Sequence, residues 1–316
     1  MSFSMNVKEE LARGIPEKAC CMKAELSALL HSSGSLVLMG NMSVGFQIKT
    51  ENAGIARLIY ILLKEQYGIK PEIVITKNYH LKKNNTYTIN PGTDTKNILA
   101  DLGIISVNEG GVSINYSIDK DIIHRNCCKR AYIKGAFLGC GSLSDPEKNY
   151  HMEFVTDNPD YAYSLRRLLN YFKLGSKIIE RKNNYVVYLK EGDKIVDALN
   201  IMGAFQSLMS MENIRAFKEI RNNVNRLVNC ETANLDKTVN AAVRQIENIK
   251  YIDETIGLES LPDNLQEVAR LRLMNENASL KELGEMLEPK VGKSGVNYRL
   301  KKLDKIAESL KGAANV

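Results

Sequence analysis

Three groups of side chains in this chain could do chemistry, and each points to a different kind. The first is the six cysteines, Cys20, Cys21, Cys127, Cys128, Cys140 and Cys230. None forms a C-x-x-C pair and no His-x3–5-His accompanies them, so the spacing argues against zinc, and no metal or cofactor is expected. Vicinal pairs such as Cys20-Cys21 suit a disulfide framework poorly. The opening MSFSMNVKEELARG has acids and no apolar core, unlike a secretory signal, so the cysteines read as free thiols in a reducing cytoplasm, each packing as a small hydrophobe.

The second group is acidic, and carboxylates could hold a hard ion such as Mg²⁺, which is bound by oxygen anions. Asp145 and Glu147 are available, but no acid stands between Glu25 and Glu51, and Asp145-Pro146 reads as a turn start. His31 and His151 stand alone and read as packing or surface residues. The third group is basic. From Lys290 to Lys311 seven bases (Lys290, Lys293, Arg299, Lys301, Lys302, Lys305, Lys311) face two acids, Asp304 and Glu308, a concentration suited to phosphate contact.

The elements that must position these residues emerge from an internal duplication. CCMKAELSALLHSSGSL at 20–36 aligns without a gap on CCKRAYIKGAFLGCGSL at 127–143, matching at both cysteines, at Ala24 and Ala131, and at the closing Gly-Ser-Leu. Thr50-Glu51-Asn52 recurs as Thr156-Asp157-Asn158, and Lys83-Asn84-Asn85 as Lys182-Asn183-Asn184. In the first copy the periods predict a helix over 20–31, strands at Ser35–Met39 and Val44–Thr50 turning through Gly40-Asn41, and a helix from Asn52 to Tyr67. Strands at Ile73–Thr76 and Thr86–Ile89 and a helix over Thr95–Leu102 follow. Each unit thus reads α-β-β-α-β-β-α, and a strand at Val112–Tyr116 is expected in the connection over 104–126. Ala24/Ala28 and Ala131/Gly135 let the first helices of the two copies meet nearly backbone to backbone.

Leu26-Ser27-Ala28-Leu29-Leu30-His31-Ser32-Ser33-Gly34 and Ile133-Lys134-Gly135-Ala136-Phe137-Leu138-Gly139-Cys140-Gly141 both resemble the LAGLIDADG motif of homing endonucleases. That resemblance implies a pseudo-twofold fold with a saddle-shaped sheet for DNA, and an acid at the eighth motif position to hold the catalytic metal. Ser33 and Cys140 occupy the eighth positions here, so the resemblance implies a scaffold without nuclease chemistry. Basic residues in the second copy, Lys177, Arg181, Lys182 and Lys190, suit either a DNA saddle or the charged guarding of a sheet edge.

The last third changes to helical periods. Leu235, Val239, Val243, Ile246 and Ile249 predict a helix over 232–253, Pro262 opens another to Asn275, and Ser279-Leu280-Lys281-Glu282 is a capping box for a short helix to Leu287. SLKELGEMLEPKVGKSGVNYRLKKL resembles a helix-turn-helix with a turn lengthened at Glu288-Pro289-Lys290. Gly284 takes the helix-crossing position, and Val296, Leu300 and Leu303 the buried stripe. The N-terminal end of such a second helix faces base edges. Lys293, Ser294, Asn297 and Tyr298 lie there with Arg299 behind; Lys290, Lys301 and Lys302 are further candidates for DNA contact, with a solvated face the alternative for Lys301, Lys302 and Lys305. The reading is therefore α+β: a duplicated LAGLIDADG-like domain over 1–205 (repeats at 20–103 and 127–205 after a short lead, 1–19), a helical linker over 206–230, and an all-α helix-turn-helix domain over 231–316.

Composition agrees with two globular domains: 316 residues, 44% hydrophobic and 25% charged, with 43 bases against 37 acids for a net +6. The longest apolar run, Leu58–Leu63, is far short of the roughly 20 residues of a membrane helix. A degenerate LAGLIDADG pair followed by a helix-turn-helix is similar to the WhiA transcriptional regulators of Gram-positive bacteria. The resemblance extends to Ser2-Phe3-Ser4 with Val7-Lys8-Glu9-Glu10-Leu11, to Arg221-Asn222-Asn223-Val224-Asn225-Arg226 with Asn229-Cys230-Glu231-Thr232-Ala233-Asn234, and to Lys293-Ser294-Gly295-Val296-Asn297-Tyr298-Arg299-Leu300. Arg221, Asn225 and Arg226 would touch phosphates or brace the junction between domains. The resemblance implies a cytoplasmic, nucleoid-associated regulator of sporulation or cell-division genes that binds promoter DNA, has no enzymatic activity, and has RNA polymerase or another regulator as a candidate partner. A monomer with internal pseudo-twofold symmetry is expected. An active endonuclease and an RNA-binding, maturase-like protein are the competing classes; nicking of supercoiled DNA with Mg²⁺ and competition between RNA and duplex DNA separate them.

Overall fold

The computed structural model describes residues 2–38, 44–77, 85–92, 95–108 and 111–313. The expected turn at Gly40-Asn41 and the repeated Lys83-Asn84 lie outside them. The chain divides into two compact units, Met1–Lys218 and Glu219–Val316.

The first unit opens with α1 (Phe3–Arg13), where only a short lead was expected; the Ser2 hydroxyl accepts from the Met5 N–H, and Val7 and Leu11 are buried. The duplicated unit follows. Its first copy is α2 (Ala19–Ser33), β1 (Gly34–Leu38), β2 (Val44–Thr50), α3 (Ala53–Tyr67), β3 (Glu72–Lys77), β4 (Asn85–Asn90) and α4 (Lys96–Asp101). The connection holds the strand expected near Val112–Tyr116 as β6 (Gly111–Ile114), paired antiparallel with an unexpected β5 (Ile105–Asn108). The second copy is α5 (Asn126–Cys140), β7 (Gly141–Leu143), β8 (Met152–Thr156), α6 (Pro159–Tyr171), β9 (Lys177–Arg181), β10 (Asn184–Leu189) and α7 (Gly192–Met202). The two antiparallel sheets have matching strand orders, β1-β2-β4-β3 and β7-β8-β10-β9.

The repeated Thr-x-Asn has the same physical job in both copies. Asn52 Oδ1 accepts from the Ile55 N–H at 3.1 Å and Thr50 Oγ1 from the Asn52 N–H at 3.2 Å; Asn158 and Thr156 do the same for Tyr161 and Asn158 at 3.1 and 3.2 Å. Each pair satisfies first-turn donors of a helix that would otherwise be orphaned. The register is then set by inward residues such as Phe46 opposite Leu36 and Phe154 opposite Val187, which place the core on one face of each sheet.

The centre of this unit is the α2–α5 pair. A Cβ built on Gly135 would stand 2.5 Å from the Glu25 carbonyl oxygen and 2.9 Å from Ala28 Cβ, so only glycine admits this approach. The small residues do what their spacing predicted. Sequence patterning did not anticipate the charge inside the joint: Glu25 is fully buried with Lys134 Nζ at 2.9 Å from its Oε1, and Lys134 also donates to the Gly14 carbonyl. Burial pushes the Glu25 carboxyl up to about 7, and the Lys134 ammonium opposes that rise.

The helix α8 runs unbroken from Phe205 to Ile256, merging the stretches expected as a linker over 206–230 and a helix over 232–253. In the second unit its C-terminal part packs with α9 (Asp263–Met274), α10 (Leu280–Glu285) and α11 (Lys293–Ala313) around Ile249, Ile252, Leu265, Val268, Leu283, Val296, Leu300 and Leu303. Pro262 caps α9 from just outside it.

Candidate nucleic-acid interface

The angle between α10 and α11 is decided by backbone contact. A Cβ on Gly284 would collide with the Val291 carbonyl oxygen, and the Val291 N–H donates to the Gly284 carbonyl at 3.0 Å. Ser279 closes the start of α10 as a capping box: its hydroxyl accepts from the Glu282 N–H at 3.3 Å, and Glu282 Oε2 accepts the Ser279 N–H at 2.7 Å. These backbone bonds hold the Glu282 carboxyl below its ordinary range. The loop before α10 is gripped by Arg272, 2% exposed, whose guanidinium donates to the Ala278 carbonyl at 2.7 Å. Sequence reasoning missed Arg272. Its signal was an arginine three residues beyond Ala269 on the buried face of α9.

The side chains of α11 divide by what they face. Val296, Leu300, Leu303 and Ala307 are buried. Lys293, Ser294, Tyr298, Lys301, Lys302 and Lys305 are exposed and Asn297 is half-buried. Tyr298 is 61% exposed, with Lys302 Nζ over its ring at 5.0 Å. Lys290 is exposed in the loop before α11. Three charges counted with this set point elsewhere. Arg299, its side chain 20% exposed, donates to the Asn264 carbonyl at 3.4 Å and lies 3.9 Å from Glu267 Oε2, both on α9. Asp304 accepts from Asn248 at 2.9 Å and pairs with Arg244 at 3.4 Å, and Lys311 donates to Asn248 at 2.9 Å, all on α8. From Lys293 to Lys305, the sole acid is therefore turned inward and the outward face carries only cations and neutral polar groups.

In the first unit the two motif tips hold no carboxylate. Ser33 Oγ donates to the Leu29 carbonyl at 2.8 Å, and the Cys140 thiol donates to the Ala136 carbonyl at 3.4 Å, each bonding back onto its own helix. Burial pushes the Cys140 thiol up to about 12. His31 is a packing residue: its ring stacks on Tyr161 at 5.2 Å, and its nitrogens lie 3.0 Å from Tyr132 Oη and 3.2 Å from the Asn115 carbonyl. His151 Nε2 is 3.1 Å from Glu153 Oε2 on the strand it precedes. On β9, Lys177 and Arg181 alternate with inward Ile178 and flank an exposed Ile179. Lys182 sits at φ 50 in the turn to β10, and Lys190 reaches over the Tyr188 ring at 5.2 Å. The bases of this sheet are thus mixed with apolar and acidic neighbours. On the outward face of α11 from Lys293 to Lys305 no acid stands among the bases; the exposed Glu308 follows beyond it.

Description of the chain by family gives three matches that tile both units: "WhiA N-terminal LAGLIDADG-like domain" over residues 19–105, "WhiA LAGLIDADG-like domain" over 129–221 and "WhiA C-terminal HTH domain" over 224–307. The chain belongs to the WhiA family. Its likeness within the family extends to full length. A "Probable cell division protein WhiA" of Alkaliphilus metalliredigens is 54% identical over 314 residues, 99% of each chain. One of Clostridium botulinum (strain Hall) is 55% identical over 313 residues, 98% of this chain and 99% of that one. The crystal structure of full-length DUF199/WhiA from Thermatoga maritima superposes with a TM-score of 0.60 at 26% identity, covering 98% of this chain and 99% of that one. The helical second unit is therefore the WhiA helix-turn-helix domain, and the duplicated first unit the family's LAGLIDADG-like pair. No helix among the described residues is long and apolar enough to cross a membrane.

The structure also joins four residues that linear spacing kept apart. Cys20 and Cys21 in the first turn of α2 meet Cys127 and Cys128 in the first turn of α5, with all four sulfurs within 4.8 Å of one another. Read singly they were small packing residues; folded, they are one cluster. The available signal was that both pairs fill the same positions of the repeat.

Proposed function

We propose that this chain is a non-catalytic regulator that binds chosen promoter DNA in sporulation or cell-division genes through its helix-turn-helix. In this reading α11 lies in the major groove with Lys293, Ser294, Asn297 and Tyr298 toward base edges and Lys290, Lys301, Lys302 and Lys305 toward phosphates. Arg299 is a positioning residue that ties α11 to α9. The observation that carries the reading is the outward face of α11, where no acid accompanies the cations from Lys293 to Lys305. Lys177, Arg181, Lys182 and Lys190 supply a weaker, second contact with DNA. The nucleoid in the cytoplasm is the place of action, and RNA polymerase or another regulator the protein partner.

The name "Probable cell division protein" borne by the relatives supports the choice of target genes. Two motif tips occupied by a hydroxyl and a half-buried thiol support the lack of cleavage, since neither can hold the hard metal that phosphodiester hydrolysis requires. The test is a salt series of binding to DNA selected by the chain from a random duplex pool, with structured RNA as competitor and Mg²⁺ present. The expected result is tight duplex binding that weakens steeply with salt and leaves supercoiled DNA unnicked. Preference for RNA, or nicks that depend on Mg²⁺, overturns the reading.

A further inference from the structure

We infer that Cys20, Cys21, Cys127 and Cys128 form a tetrathiolate site for one soft metal ion, zinc by preference, at the start of the α2–α5 pair. The geometry points to a single ion. Tetrahedral coordination at about 2.3 Å per sulfur sets neighbouring sulfurs about 3.8 Å apart. The four sulfurs lie within 4.8 Å of one another, and Cys127 Sγ is 4.0 Å from Cys128 Sγ, so inward movements of well under an ångström close the shell. All four are free thiols. A polynuclear iron–sulfur cluster spreads its cysteine ligands over two or more irons and needs a wider set than this. Four protein sulfurs leave no open position, which makes the site structural and not catalytic. The absence of any oxygen donor selects soft ions over Mg²⁺ or Ca²⁺. Among the described residues this is the one group of three or more metal-capable side chains that converge.

The surroundings favour the charge such a site carries. Zn²⁺ with four thiolates is a dianion, and it would sit on two helix N-termini at once, where the backbone dipoles favour negative charge. Neither helix start has a side-chain cap, and the N-cap residues are Lys18 and Arg125, both cationic. Cys21 and Cys128 are buried, with Cys20 and Cys127 half-buried at the rim, so an ion can enter from solvent and then be enclosed. This site is also separate from the place a LAGLIDADG nuclease would hold its metal. Ser33 is twelve residues further along α2 than Cys21, about 18 Å at the helical rise. Each copy of the duplication gives two ligands, so the ion would cross-link the halves at one end of the joint whose middle is closed by Gly135 and the Glu25–Lys134 pair. The inference does not rest on the DNA-binding reading.

The test is the metal content of the untagged full-length chain, purified under reducing conditions without chelator. One zinc per chain is expected, falling by roughly tenfold or more in Cys21→Ser/Cys128→Ser and unchanged in Cys230→Ser, whose thiol is exposed on α8. Should the double variant fail to fold, the wild-type chain stripped of metal gives a second readout. Added Co²⁺ should produce the thiolate charge-transfer and visible bands of a tetrahedral ion, and added Zn²⁺ should protect four thiols from titration. Folded, reduced wild-type protein without bound zinc and without such a cobalt spectrum overturns the site, as do cysteines that titrate equally with and without zinc. Recovery of the four cysteines as disulfides from the reduced preparation overturns it too.

Discussion

Replacing Lys301, Lys302 and Lys305 together by alanine should change how DNA binding depends on salt, by an amount the structure allows one to state. All three are exposed on the outward face of α11, and Lys302 is held over Tyr298, so none is needed for packing. If each neutralises one phosphate, removing all three makes the slope of log K against log salt shallower by about 2.7. Between roughly 50 and 200 mM salt, the wild-type affinity then falls about 40-fold more than that of the variant. Lys311→Ala is the internal control. It removes the same charge from the same helix, but Lys311 is bonded to Asn248 and lies over Tyr251, so its loss should leave the slope unchanged and show instead as lower thermal stability. Fluorescence anisotropy on a labelled selected duplex, titrated at five or so salt concentrations, reads both quantities. Parallel slopes for the triple variant and wild type, or a slope change in Lys311→Ala as large as its share of the triple, would refute the division of α11 into an outward and an inward set.

Other consequences follow from the packing. Gly135→Ala puts a Cβ 2.5 Å from the Glu25 carbonyl, so the α2–α5 pair must part; a loss of about 1–3 kcal/mol is expected in urea unfolding despite the gain in helix propensity, and an unchanged midpoint would contradict the close approach. Gly284→Ala meets the Val291 carbonyl in the same way and should abolish specific DNA binding while the first unit stays folded, which amide exchange unit by unit can read. Because burial raises the Glu25 carboxyl to about 7 from an ordinary 4.5, the folded state holds a proton the unfolded chain has released across that window. Stability should therefore fall as pH rises from about 4.5 to 7, and Glu25→Gln, whatever its absolute stability, should flatten that portion of the profile. Arg299→Ala should lower the stability of the second unit by up to about 1 kcal/mol and leave the salt slope alone, since its partners are on α9; a shallower slope would move it to the phosphate set.

Much of the architecture is local and therefore legible in order along the chain. The duplication, the Thr-x-Asn helix starts, the capping box at Ser279 and the small residues at Ala28, Gly135 and Gly284 each act within a few residues or through the absence of a side chain, so their spacing carries their meaning. The absence of an acid at Ser33 and Cys140 is likewise a matter of residue type alone. The helix Phe3–Arg13 and the strand Ile105–Asn108 were not legible, because short segments take their structure from the surface they cover: Val7 and Leu11 from the core, Ile105 from the body of the first unit.

What folding alone decided is which side chains meet across a gap in sequence. Charge counting could not tell that Asp304, Lys311 and Arg299 face neighbouring helices while Lys301 and Lys305 do not, since a helix presents every azimuth and only its neighbours choose among them. Nor could spacing tell that Glu25 and Lys134 would share one buried joint, or that two vicinal cysteine pairs from separate copies would converge. Symmetry explains the cysteines: a duplicated unit packed about its own axis brings the equivalent positions 20–21 and 127–128 together, whereas Glu25 and Lys134 occupy different positions of the repeat and meet because the close approach of α2 and α5 leaves them facing each other.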